Sequence, residues 1–145
     1  MSQKKEIHIP LHAPNIVNVC VDKDDHGEIA GRIYHCYDKE PWHFKNVIGM
    51  VELMEDFFDR ISFPQASTQT RVFANAAKQR TEILTKVATP KEIAENQGER
   101  GTFLICVKYR QNSSWQGEVE WLEQGVVQHF ISVLELLKIL NNALG

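Results

Sequence analysis

His35 and Cys36 stand side by side in the chain. An imidazole next to a thiol is the raw material of a metal ligand pair. Their spacing argues against that use. Residues 28–37 alternate in the manner of a strand, and neighbours on a strand point to opposite faces. His35 and Cys36 therefore cannot reach one ion. The odd positions instead bring His35 and Tyr37 to one face. Trp42 follows the next turn, and Trp121 stands where a second strand of similar pattern would place a large aromatic. These four residues are candidates to line a pocket for a small ligand. A second candidate set is Arg110, Asn112 and Trp115, gathered around a turn rich in basic and amide groups, which suits a polar ligand.

Other chemistry finds little support. There is no G-x-S-x-G, no glycine-rich phosphate loop and no H-E-x-x-H. Asp22, Asp24 and Asp25 before Gly27 resemble a calcium loop only faintly, because Ile33 stands where the final acidic ligand belongs. Cys20 and Cys106 sit in apolar runs and read as inert thiols. Glu118, Glu120 and Glu123 fit the exposed face of an alternating strand. His43 and His129 precede two helical stretches at matched positions, which suggests a bond to a helix end. No catalytic residue, metal site or cofactor is expected, and the balance is against an enzyme.

The elements that must position these groups come in two similar series. Residues 103–110, 115–123 and 126–131 read as strands and 133–144 as a helix behind the N-cap Ser132. Residues 16–21, 28–37 and 42–45 read as strands, followed by a helix from 47 to 58 behind Asn46. Turns are expected at 22–27 and 38–41. The two series align without a gap at an offset of 86 residues. Six of 44 aligned pairs are identical, including Cys20 with Cys106, Gly31 with Gly117, and His43-Phe44 with His129-Phe130. The fold class expected is α+β: two similar βββα halves, each an antiparallel meander plus a helix, in one compact domain spanning 1–145. The halves are 16–59 and 102–145, and 60–101 is a linker with short helices. Thr89-Pro90-Lys91-Glu92 is a capping-box helix start within it, and residues 74–87 are a candidate helix.

The chain has 145 residues and a net charge of −3, so it carries no overall basic footprint for nucleic acid. The charge is uneven. Residues 1–59 hold six Lys/Arg against eleven Asp/Glu, while residues 60–100 hold seven against four. Three cysteines without a C-x-x-C fit a reducing compartment. No run is long and apolar enough to span a bilayer, and a cytoplasmic location is expected, without a membrane partner.

The stretch 109–117, with its R-x-N-x-x-W-Q-G pattern, the strand residues 118–121 and the leucine-rich helix after Phe130 resemble short uncharacterised bacterial proteins. The resemblance covers the last third of the chain and implies no activity or site residues.

The resulting expectation is a non-catalytic protein-interaction or regulatory module. Both helices are apolar around most of their circumference, which points to a homodimer or another protein partner, with Met50, Met54, Leu136 and Leu140 as candidate contact residues. The alternatives are a small-ligand-binding protein or enzyme with a pocket near His35 and Trp121, and nucleic-acid binding through the basic linker.

Overall fold

The computed structural model of the chain describes residues 7–9, 13–26, 28–62, 85–111 and 114–145. The elements follow in the order β1 (Val17–Asp25), β2 (Glu28–His35), β3 (Asp38–Phe44), α1 (Val47–Ile61), α2 (Pro90–Ile93), β4 (Gly101–Gln111), β5 (Ser114–Trp121), β6 (Val126–Phe130) and α3 (Val133–Leu144). All six strands join one antiparallel sheet in the order β3-β2-β1-β4-β5-β6. The class is α+β, as expected. β1 and β4 lie at the centre and β3 and β6 form the edges.

The central strands are buried on both faces, which is why they read as nearly continuous apolar runs. Val17, Val19, Val21, Phe103, Ile105 and Val107 join the core that also holds Met50, Met54, Phe57, Phe58, Leu136 and Leu140 of the two long helices. Ile16, Leu104 and Cys106 belong to a second apolar cluster with Ile9, Cys36, Ile93, Ala94 and Leu122. That cluster forms on the back of the sheet. Residues 7–9 and the segment around α2 cover it.

Two local expectations give way to pairing and a third to burial. Residues 22–25 are polar, but they continue β1: Asp25 pairs with Glu28 and Asp24 with Ile29. Ladder hydrogen bonds come from the backbone and do not need apolar side chains. The connection shrinks to the link between the paired residues Asp25 and Glu28, and His26 takes the left-handed conformation with φ 55°, as short hairpin turns require. Asp38 likewise pairs with His35, so residues 38–41 belong to β3 and not to a turn. Met50, Met54, Leu136 and Leu140 are each at most 1% exposed. These four candidates for contact with a partner are core residues, because two helices and one sheet enclose them within a single chain.

Both long helices begin on a side-chain cap. Asn46 Oδ1 accepts from the Gly49 N–H at 2.7 Å, and Ser132 Oγ from the Glu135 N–H at 3.0 Å. α2 begins with a full capping box, the Thr89 side chain accepting from the Glu92 N–H and the Glu92 carboxylate from the Thr89 N–H. Its position matches the sequence expectation. The candidate helix over 74–87 falls almost entirely on residues outside those described.

The register breaks once in each central hairpin. Between β1 and β2 the shift lies between Val21 and Lys23, and between β4 and β5 it lies between Val107 and Tyr109. A glycine faces the last regular pair in both places: Gly31 opposite Val21, and Gly117 opposite Val107. An ion pair also sits at each irregularity. Arg32 Nε donates to Asp22 Oδ2 at 2.9 Å, and Lys108 Nζ lies 3.4 Å from Glu118 Oε1.

Candidate functional site

The C-terminal half of α1 carries two clusters that contain five of the residues singled out in the sequence. Phe57 is the hinge of the first. The His35 ring stacks on it with centroids 4.0 Å apart, and Trp42 meets His35 edge-on at 4.4 Å. Tyr37 lies tilted against Phe57 at 6.1 Å. β2 supplies His35, the β2–β3 turn supplies Tyr37, and β3 supplies Trp42. Polar tips anchor this box. The Tyr37 N–H donates to His35 Nδ1 at 3.2 Å, which places the proton of the neutral ring on Nε2. The Trp42 Nε1–H donates to Asp38 Oδ2 at 3.0 Å, and the Arg60 guanidinium lies over the Trp42 ring. His35 is 3% exposed, and its Nε2 has no hydrogen-bond partner among the described residues. Burial pushes the ring's pKa from 6.5 down to about 4; Asp38 works against this and Arg60 adds to it.

Arg110 is the centre of the second cluster. Its side chain is only 2% exposed, and Nη1 donates to Asp59 Oδ1 at 2.9 Å and to Glu55 Oε2 at 3.2 Å. The other Glu55 oxygen accepts from the Trp115 Nε1–H at 2.9 Å. Trp115 in turn meets Phe58 edge-on at 5.4 Å, and the guanidinium lies over the Phe58 ring. A buried guanidinium is tolerated only when paired, and two carboxylates four residues apart on α1 do the pairing. Phe57 and Phe58 join the two clusters, with centroids 5.7 Å apart. A continuous aromatic row thus runs from Trp42 on the edge strand to Trp115.

The remaining candidates lie elsewhere. Trp121 stacks on Phe103, with centroids 6.3 Å apart. It is three strands from His35 in the sheet order, roughly 14 Å at the usual strand spacing. Asn112 lies outside the described residues. Cys36 belongs to the back cluster, on the opposite face from His35. Among the described residues no group of His, Cys, Asp and Glu side chains could hold a metal ion. Neither His43 nor His129 caps a helix, since Asn46 and Ser132 do so; His129 Nδ1 lies 3.5 Å from Glu118.

The sequence reading missed two groups. Glu120 was expected on an exposed face, yet it is fully buried. Its Oε1 accepts from the backbone N–H groups of His8 and Ile9 at 2.7 and 3.1 Å, and its Oε2 lies 2.7 Å from His8 Nδ1. The carboxylate pins residues 7–9 across the back of β5. Strand alternation correctly predicted which face Glu120 occupies, but not that another segment covers that face. The partners Glu55 and Asp59 were also missed. Their i, i+4 spacing opposite a single arginine is the only local signal, and nothing in the sequence brings Arg110 to them.

The connection between the halves is fastened to the back face. Asn18 is fully buried and its amide donates to the carbonyls of Ile93 and Asn96 at 2.6 and 3.1 Å. Arg32 Nη2 donates to the Gln97 carbonyl at 2.9 Å, and the Glu99 N–H donates to Asp22.

All three thiols are buried. Burial pushes Cys20 up to about 12 despite the nearby Arg32, and it raises Cys36 and Cys106 as well. The thiolate is the reactive form, so modification requires opening of the fold. In Ellman's assay the native protein is expected to react at least about 100-fold more slowly than the urea-unfolded chain. Fast reaction of one native thiol would show that the structure opens locally around it.

No family model, no curated protein and no solved structure matches this chain.

Proposed function

We propose that the protein is a non-catalytic, cytosolic interaction module that pairs with a second copy through the open edge of β6. The carrying observation is the apolar surface flanking that edge. β6 is the last strand of the sheet. Val126 at its start is 42% exposed, and Ile131 just past its end and Leu134 in the first turn of α3 are each 64% exposed. Among the described residues no segment pairs with the outer edge of β6, and an unpaired edge beside exposed apolar side chains is a template for strand addition. A two-fold contact across it would join two β6 strands and cover these residues in both copies.

Light scattering over a range of concentrations tests this. The expected mass rises from 16.7 kDa to twice that value. Ile131→Glu and Leu134→Glu are expected to hold the protein at the lower mass and to change its stability by no more than about 0.5 kcal/mol, because both side chains are exposed. A wild-type protein that stays monomeric at several hundred micromolar would refute the pairing.

A second proposal concerns the origin of the architecture: the two βββα series are copies of one unit. Its support is the coincidence at one offset of the register shifts, the facing glycines, the helix caps and the ion pairs. The ion pairs match with reversed sign, Asp22 and Arg32 corresponding to Lys108 and Glu118. The nucleic-acid reading rests on the basic stretch 60–100, of which residues 63–84 lie outside those described.

A further inference from the structure

Between the start of α1, the last turns of α3 and strand β2 lies a hollow of about 160 Å³, lined by Ile29, Val47, Leu137, Leu140, Asn141 and Leu144. Five of these side chains are apolar, and Asn141 is the only polar residue among them. Ile29 and Leu140 are buried, whereas Asn141 is exposed. An apolar cavity of ~150 Å³ can stay dry and accept a single aromatic ring.

The chain itself indicates what fits. Each lining residue has a counterpart 86 positions away: Trp115 for Ile29, Val133 for Val47, Val51 for Leu137, Met54 for Leu140, Glu55 for Asn141 and Phe58 for Leu144. In that second setting the indole of Trp115 is 1% exposed. It meets Phe58 edge-on and donates its N–H to the Glu55 carboxylate. Where the chain carries Ile29 in place of a tryptophan, the hollow remains. Where Glu55 accepts the indole N–H, Asn141 offers an amide oxygen.

We propose that this hollow is a binding site for a small planar aromatic molecule with one N–H donor, of the indole class. The ring lies between Ile29, Leu137 and Leu144, and its N–H meets the Asn141 side-chain oxygen. The neutral amide in place of a carboxylate suits an uncharged ligand. The volume limits the ligand to one small ring system. The assignment is to the free ring and not to a tryptophan side chain on a peptide, whose backbone would have to pass the rim at Leu137 and Asn141.

Titration of the full chain with indole, followed by amide and methyl NMR shifts, tests the assignment. Saturable shifts are expected at Ile29, Leu137, Leu140 and Leu144. Asn141→Leu is expected to weaken indole about three- to tenfold, the worth of one hydrogen bond, and to leave benzene binding unchanged. Ile29→Trp places an indole in the hollow from within. It is expected to abolish the shifts and to raise the unfolding temperature by about 2–6 °C. If that variant does not fold, Leu137→Phe at the half-buried rim serves as the block. N-acetyl-tryptophanamide is expected to bind at least about tenfold more weakly than indole. The proposal fails if indole gives no saturable shift in the wild type, or the same shifts in the blocked variant. It fails too if the tryptophan amide binds as tightly as indole, since the occupant would then be a side chain of another protein.

Discussion

Gly31→Ala is expected to cost on the order of 4 kcal/mol or to prevent folding, and Gly117→Ala is expected to do the same. A Cβ at residue 31 would lie 2.0 Å from the Cys20 carbonyl oxygen, and one at residue 117 would lie 2.0 Å from that of Cys106. Both obstacles are backbone atoms of a central strand, so no side-chain rotation relieves the overlap. Neither glycine has a positive φ. The requirement is close approach of the neighbouring strand's backbone beside the register shift. Overpacking usually costs about 1–3 kcal/mol, and more where the surroundings cannot yield. Urea denaturation of both variants measures the effect. Gly49→Ala is the control. Its Cβ would meet only the Asn46 Oδ1 at 3.2 Å and the Phe44 Cβ at 3.8 Å, and alanine favours the helix by about 1 kcal/mol. A net change below about 1 kcal/mol is expected there. Mild effects at both Gly31 and Gly117 would mean that the central hairpins can relax and that the register shifts are soft.

Stability is expected to fall by about 3 kcal/mol as the pH drops from 6.5 to 4, and His35 is the cause. Its pKa lies near 4 in the folded chain, against 6.5 when exposed. Between those values the unfolded chain binds a proton that the folded chain does not, so acid favours unfolding. The stability is complete above pH 6.5, declines as the pH falls and is fully lost below about 4. One pKa unit corresponds to about 1.4 kcal/mol. The geometry accounts for the penalty. A protonated ring would be buried against Phe57 and Trp42, and its Nδ1 could no longer accept the Tyr37 N–H. His35→Phe keeps an aromatic ring on Phe57 and removes the titration. The difference between wild type and variant, measured by denaturation from pH 7.5 to 4, isolates this term from the carboxylates that titrate at the acid end. A difference that stays flat over the window would mean that solvent reaches the ring.

Much of the fold was legible because it is local. The caps Asn46 and Ser132, the capping box at Thr89 and the alternation of β2 each depend on residues a few positions apart. α3 begins and ends where its pattern does, since a cap and a run of apolar residues suffice to define it. Where β1 and β3 extend beyond their apolar residues, backbone pairing decided, and side-chain polarity carries no record of that pairing. The candidate clusters split along the same line. His35, Tyr37 and Trp42 come from one hairpin, and their proximity was readable. Arg110 and Trp115 were readable as neighbours across a turn. Their carboxylate partners were not, because Glu55 and Asp59 arrive on a helix that the sheet brings over from the other half. Trp121 was grouped with His35 as its counterpart at the 86-residue offset, and the strand order separates them.

By itself the sequence determined the alternation, the helix starts and the order of elements, all of which are set within a turn or two of chain. Only the tertiary structure decided that the strands form one sheet with β1 beside β4. It alone decided that Met50, Met54, Leu136 and Leu140 are enclosed, and that Glu120 is buried under residues 7–9. Each of these outcomes depends on which segment covers which face. Coverage is a property of chain segments far apart in sequence, and it leaves no periodicity in any one of them.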